Sequence, residues 1–227
     1  LQAAARTDEA RLRSSGAPAA GTWLAAIPAD AGLSFSDEEF AAAACFRLGQ
    51  DLSLEGQRCA NCYTTGGLHH RVGDRCSGRL DAPGLHATTC LVGGNRTATH
   101  NGQGDLWAQQ LPSAGFAVHP EQHVPGWDRW VRRANGGWVR QRAVLDLRVE
   151  APPDAPVTYL DVKVTHPCSA TYVAGAAGEN GYAAQKAEDD KHARYPANTP
   201  GVSGRLVPLV VETYGRWGKE GLRFLKK

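Results

Sequence analysis

Residues 142–165, RAVLDLRVEAPPDAPVTYLDVKVT, decide how the chain is read. The stretch predicts two short strands joined by a Pro-rich turn. Side chains alternate across a strand with period two. In the first strand Ala143, Leu145, Leu147 and Val149 share one face, and Val144, Asp146 and Arg148 the other. In the second, Thr158, Leu160, Val162 and Val164 share a face, opposite Val157, Tyr159, Asp161 and Lys163. Asp161 and Lys163 therefore project from the same side, and Asp146 joins them if the strands are neighbours. Two carboxylates and an ammonium at one end of a sheet have the chemistry to hold a divalent cation and a water. The plainer alternative is a solvated Asp/Lys pair on an edge strand.

Outward from this stretch, the 227 residues predict one or two domains. A hydrophobic fraction of 42% and a charged fraction of 21% are ordinary for a globular chain with a buried core. Net charge is only +2, so binding to nucleic acid would need a local basic patch. No apolar run is long enough to span a membrane and no secretory signal pattern is present, so an intracellular, non-secreted setting without a membrane partner is expected. The chain has no Met and begins at Leu1, which reads as a piece of something longer.

The six cysteines are Cys45, Cys59, Cys62, Cys76, Cys90 and Cys168. Four of them fall in CANCYTTGGLHHRVGDRCSGRLDAPGLHATTC, residues 59–90. In a non-secreted chain this favours metal over disulfides. Cys59 and Cys62 form a CxxC, and His86 and Cys90 an HxxxC. Two such knuckles can supply the four ligands of a tetrahedral zinc. Cys59, Cys62, His86 and Cys90 are the first choice. Cys76 is a rival for one of the CxxC pair, and His69 and His70 are spare candidates. So polar a stretch has little core of its own, and zinc would supply its folding energy in a structural role.

Elsewhere, residues 1–14 read as a short charged helix. Ser36 with Glu39 makes a capping box, Phe40, Ala43, Ala44 and Leu48 follow at helical spacing, and Gly49 is the expected stop. A helix is expected over 100–111, with His100-Asn101 at its start, and a strand over 116–124 carrying Glu121. Residues 127–142, WDRWVRRANGGWVRQR, interleave Trp127, Trp130 and Trp138 with Arg129, Arg132, Arg133, Arg140 and Arg142. Basic groups grip phosphates and aromatic rings stack on bases. A hairpin about Asn135-Gly136 whose Trp side chains pack on the core is the alternative, and the two are compatible. A helix over 182–194 would carry Ala184, Ala187, Lys191 and Tyr195 on one face. RLVPLVVETYG reads as a buried strand, and the tail adds a second basic cluster of Arg216, Lys219, Arg223, Lys226 and Lys227.

Taken together, the order GTWLAAIP, SDEEF…RLG, a Cys/His knuckle ending LDAPGLHATTC, His100-Asn101, Asp146, Asp161-Val-Lys163, an Ala/Lys helix ending at Tyr195, and PLVVETYG resembles a known family. It is similar, over about residues 20–217, to the restriction-like endonuclease region of site-specific non-LTR retrotransposon proteins. The resemblance implies an α/β (α+β) chain with a PD-(D/E)xK core, a mixed central sheet flanked by helices. A helical entry segment at 1–58 and a zinc knuckle at 59–94 would precede that core at 95–227.

The resemblance carries Asp146 to the first Asp of the motif, with Leu145 where Pro is usual. It carries Asp161 to the second acid, Lys163 to the Lys two places on, Lys191 and Tyr195 to a helical Lys and Tyr, and Glu121 to an upstream acid. Many retrotransposon members lack the Lys at 163, and its presence is closer to restriction enzymes. Mg²⁺ or Mn²⁺ at Asp146 and Asp161 is implied as the catalytic cofactor. Double-stranded DNA, element RNA and the reverse-transcriptase part of the same polyprotein are implied as partners. The setting implied is nuclear, with DNA nicked to prime reverse transcription. A zinc-stabilised nucleic-acid-binding module without catalysis and a resolvase-like nuclease for branched DNA are the alternatives.

Overall fold

The computed structural model describes residues 2–27, 34–63, 71–151 and 156–226. The Pro-rich turn at 152–155, His69, His70 and Lys227 lie outside the described residues. In chain order the elements are α1 (Gln2–Ser15), α2 (Asp37–Leu48), α3 (Leu85–Thr89), α4 (Asn95–Gln110), β1 (Ala117–His123), β2 (Arg129–Arg132), β3 (Trp138–Gln141), β4 (Val144–Glu150), β5 (Thr158–Thr165), α5 (Val173–Ala176), α6 (Tyr182–Arg194), β6 (Arg205–Glu212) and α7 (Lys219–Phe224). The chain groups into two units. One is Leu1–Thr99 with Thr165–Ala183 and Glu212–Trp217, and the other is His100–Val164 with Ala184–Val211 and Gly218–Lys227. No helix among the described residues is long and apolar enough to cross a membrane.

In the first unit, α2 begins as its sequence dictates. The Ser36 side chain accepts from Glu39 N–H at 3.2 Å, and Glu39 accepts from Ser36 N–H at 2.8 Å. Gly49 ends the helix at φ 70°, a conformation costly for any residue with a Cβ. The inward face differs from the expected one. Phe40 and Leu48 are exposed, while Phe46 stacks on Tyr214 with ring centres 4.7 Å apart. Arg47 donates to the carbonyls of Ala20 (2.8 Å) and Tyr214 (2.9 Å), so its charge is spent on backbone. Arg216, expected in a basic tail cluster, likewise donates to Arg13 C=O at 2.6 Å.

The second unit holds a four-stranded sheet in the order β1-β4-β5-β6. β1 pairs with β4 and β4 with β5, both antiparallel. Hydrogen bonds from Arg205 N–H to Val157 C=O and from Thr213 N–H to Thr165 C=O advance together along both segments, so β6 runs parallel to β5. The sheet is therefore mixed, and α6 supplies the crossover that a parallel pair requires. Alternation decides the core: Leu145, Leu147 and Val149 are buried on β4, and Leu160 and Val162 on β5. Leu147, Val149, Leu160, Val162, Val207 and Leu209 pack with Leu111, and Trp107 of α4 lies against them. Ala184 and Ala187 of α6 pack on Val210. Small side chains there let the helix lie close to β6.

Candidate active site and metal centre

Where the apolar face of β4 and β5 builds the core, the opposite face carries the acids. The printed register pairs Leu147 with Leu160, Arg148 with Tyr159 and Val149 with Thr158. Continued by one step, it sets Asp146 opposite Asp161. The ladder stops there, and Val162 N–H donates to the Asp146 carboxylate at 2.6 Å. A side-chain oxygen thus takes a strand N–H where the ladder ends.

Two helical groups and Tyr195, just past the end of α6, lie at this end of the sheet. The other Asp146 oxygen lies 3.1 Å from His100 Nε2 of α4. Lys191 of α6 is ion-paired with Asp161 Oδ2, an oxygen sealed from solvent without an aligned hydrogen bond. Tyr195 sits one turn beyond Lys191, its N–H bonded to Lys191 C=O at 2.8 Å. Its ring packs at 5.4 Å from Trp127, and the Arg194 guanidinium lies 5.2 Å from its centre.

Asp161 is only 4% exposed. Burial pushes its carboxyl above the usual range, and the neighbouring Asp146 adds to the push, although Lys191 and Arg194 pull the other way. Burial also raises the Tyr195 phenol, helped by the negative charge of Asp161.

The remaining candidates divide. Lys163, half-buried, follows Asp161 by two residues on β5 and shares its side by alternation. Glu121 stands opposite Asp146 in the β1–β4 register, between the pairs Pro120–Leu147 and Gln122–Leu145, but it is skipped by the ladder. It adopts φ 50°, is exposed, and makes no hydrogen bond or ion pair to either Asp among the described residues. Glu121 thus lies beside the acid pair in register, on a left-handed residue that interrupts the ladder. His100 was expected at a helix start with no role. It lies inside α4, which begins five residues earlier, just after Gly93-Gly94. The only signal for it was the His100-Asn101 pair itself.

The second centre is a cluster of Cys59, Cys76, His86 and Cys90, whose ligand atoms all lie within 4.8 Å of one another. Sγ–Sγ distances are 3.9 Å for Cys59–Cys90 and 3.7 Å for Cys76–Cys90, and Cys76 Sγ lies 3.6 Å from His86 Nε2. A tetrahedral zinc with ordinary bond lengths has S···S edges of about 3.8 Å and S···N edges of about 3.6 Å. The cluster could hold a metal ion such as zinc.

Cys76, not Cys62, completes the set, and the register explains why. Bridges join Arg58 to Arg79 and Cys62 to Arg75, and Tyr63 N–H donates to Asp74 C=O. The same register pairs Cys59 with Gly78 and Asn61 with Cys76. Paired residues share a face and successive ones alternate, so Cys59 and Cys76 point one way and Cys62 the other. Gly78 is on the ligand side, and a side chain there would meet the His86 ring. Asp81 accepts from Leu85 N–H (2.9 Å) and His86 N–H (2.6 Å), starting the short α3 that brings His86 and Cys90 one turn apart. Burial raises the Cys59 thiol, with the neighbouring thiols adding to it. In Cys90 burial acts the same way but is outweighed by hydrogen bonds from Val92 N–H and its neighbours, leaving it below the ordinary value.

A third surface is the β2–β3 ribbon, paired Arg129–Gln141, Trp130–Arg140, Val131–Val139 and Arg132–Trp138. The turn falls at Asn135-Gly136, as expected, with Gly136 at φ 84°. The tryptophans divide. Trp127 is buried and donates its ring N–H to Pro196 C=O at 3.0 Å. Trp130 and Trp138 are each 66% exposed. All five arginines are exposed; Arg129 donates to Gln141 at 3.0 Å, Arg132 to Gly136 C=O at 3.4 Å, and Arg140 pairs with Asp128 at 3.0 Å. Neither a protein-family model nor a curated protein matches this chain.

Proposed function

We propose that the chain is a metal-dependent DNA endonuclease that hydrolyses phosphodiester bonds, with a structural zinc in the Cys₃His cluster. The observation that carries this reading is the register of β4 and β5, with Asp146 and Asp161 opposite each other where the ladder ends and Lys191 against the second acid. A buried carboxylate paired with one ammonium and facing a second carboxylate fits a site that takes additional positive charge. Asp146 and Asp161 would hold Mg²⁺ or Mn²⁺, since oxygen ligands suit these hard cations. When bound, the ion supplies Lewis acidity at a phosphoryl oxygen and charge to offset the leaving group.

The chain's own groups do the rest. His100 and Val162 N–H fix the Asp146 carboxylate. Lys163 orients the attacking water, and Lys191 neutralises a non-bridging phosphate oxygen. Tyr195, its ring locked against Trp127, holds the phosphate in line. The water oxygen bonds to phosphorus, the bond to the 3′ oxygen breaks, and the water's proton ends on that oxygen. The products carry a 5′-phosphate and a 3′-hydroxyl. The latter is the end a reverse transcriptase extends, in keeping with the likeness to the endonuclease region of site-specific non-LTR retrotransposon proteins. On that likeness, double-stranded DNA is nicked in the nucleus beside the element RNA and the reverse-transcriptase part.

One observation favours a second reading. Both acids already have protein partners, His100 and Lys191, as structural charges do. The chain would then be a zinc-stabilised nucleic-acid-binding module without chemistry. Supercoiled plasmid with Mg²⁺ or Mn²⁺ separates the two. Nicking by the wild type and none by Asp161→Ala is expected. Equal nicking by both removes the assigned site, and binding without any cleavage selects the second reading.

A further inference from the structure

We propose that the β2–β3 ribbon is a stacking site for an unpaired base of DNA, so that the preferred substrate carries an unpaired segment beside its duplex. The choice of DNA over RNA, and its being a substrate, rest on the nuclease reading; the stacking of an unpaired base does not.

The register gives the surface its composition. Trp130 faces Arg140 and Arg132 faces Trp138, so these four side chains share one face in a checkerboard. Val131 and Val139 share the other face, half-buried. The two exposed rings make no aromatic or cation–π contact among the described residues, in contrast to Trp127 against Tyr159 and Tyr195. The ribbon therefore has a packed side and a side with two large rings turned to solvent.

Spacing and charge select the occupant. Diagonal positions on neighbouring strands are roughly 7–8 Å apart. One base held between two rings needs two stacking intervals of about 3.4 Å. A base inside a duplex already has both faces covered, so only an unpaired one can enter. Arg129, Arg132, Arg133, Arg140 and Arg142 give the segment a strong positive charge. Its one acid, Asp128, is occupied by Ala143 N–H, His123 and Arg140. An open cavity of about 370 Å³ lined by His123, Asp128, Arg140 and Arg142 lies at the foot of the ribbon, where the adjoining phosphate would fall. Rings interleaved with cations, and no free carboxylate, fit a polyanion with exposed bases.

The test is tryptophan fluorescence and anisotropy with the full chain, zinc retained and no other divalent cation added. The probes are a 20-nucleotide oligo-dT, a blunt duplex of equal length and an oligo-U RNA. Oligo-dT should quench the emission and bind at least tenfold more tightly than the duplex. Trp130→Ala and Trp138→Ala should each weaken oligo-dT binding about tenfold or more, with Trp138→Phe retaining most of it. Unchanged circular dichroism and thermal transition verify that the variants fold. Variants binding like the wild type, duplex binding equal to oligo-dT, or a preference for the RNA would overturn the proposal. Asp161→Asn should bind oligo-dT normally, so loss of cleavage and loss of stacking are read separately.

Discussion

The Cys₃His cluster and the acid pair are built in opposite ways. Around the first, the buried residues are Cys59, Cys90 and Val92, with Tyr63, Cys76 and Leu80 against them. The ligands are themselves most of the core. Around the second, Leu145, Leu147, Val149, Leu160 and Val162 are fully buried on the reverse face of the same strands. The polar groups there ride on a sheet that stands without them. On the proposed reading, an ion bound in the first place would hold the chain together, and one bound in the second would act on something else.

The largest expected effect follows from that contrast. Chelating zinc should strip amide protection from residues 51–63 and 71–94 while β4 and β5 keep theirs, as read by hydrogen exchange. Structural zinc contributes on the order of 10 kcal/mol to small knuckles. Loss of protection in both regions together would break the comparison. Cys76→Ser should lower zinc content sharply, and Cys62→Ser should leave it unchanged; metal analysis per chain distinguishes them. In the acid pair the comparable change is kinetic. His100→Gln should slow nicking about 10–100-fold with the thermal transition unmoved, since orienting partners of ligands carry effects of that size. A smaller effect, about 1 kcal/mol, is expected from Ser36→Ala, which removes the α2 cap. Chemical denaturation should register it, and the nicking rate should not.

The acid pair was the more legible of the two in sequence. Period-two alternation put Asp146, Asp161 and Lys163 on one face, and 3.6-residue periodicity aligned Lys191 and Tyr195 with Ala184 and Ala187. These patterns are local and the core enforces them. The capping box at Ser36 and Glu39 was legible for the same reason. The knuckle was only partly so. CxxC spacing points to Cys62, but the cross-chain pairing of Asn61 with Cys76 decides which thiols share a side, and no local pattern reveals a register. His100 was missed because Gly93-Gly94 lets α4 start before it, which moves it from a helix end to the interior. Trp127, Trp130 and Trp138 look alike in sequence. Only the ribbon separates the one that packs from the two that do not.

The most direct test of the contrast is the rate of plasmid nicking against added Mg²⁺, in protein with its zinc in place. Saturable dependence on Mg²⁺ is predicted, falling about a thousandfold or more in Asp161→Asn, or about 4 kcal/mol of barrier. Zinc content should be unchanged in the variant. Cleavage independent of added Mg²⁺, or retained at full rate in Asp161→Asn, would contradict the account.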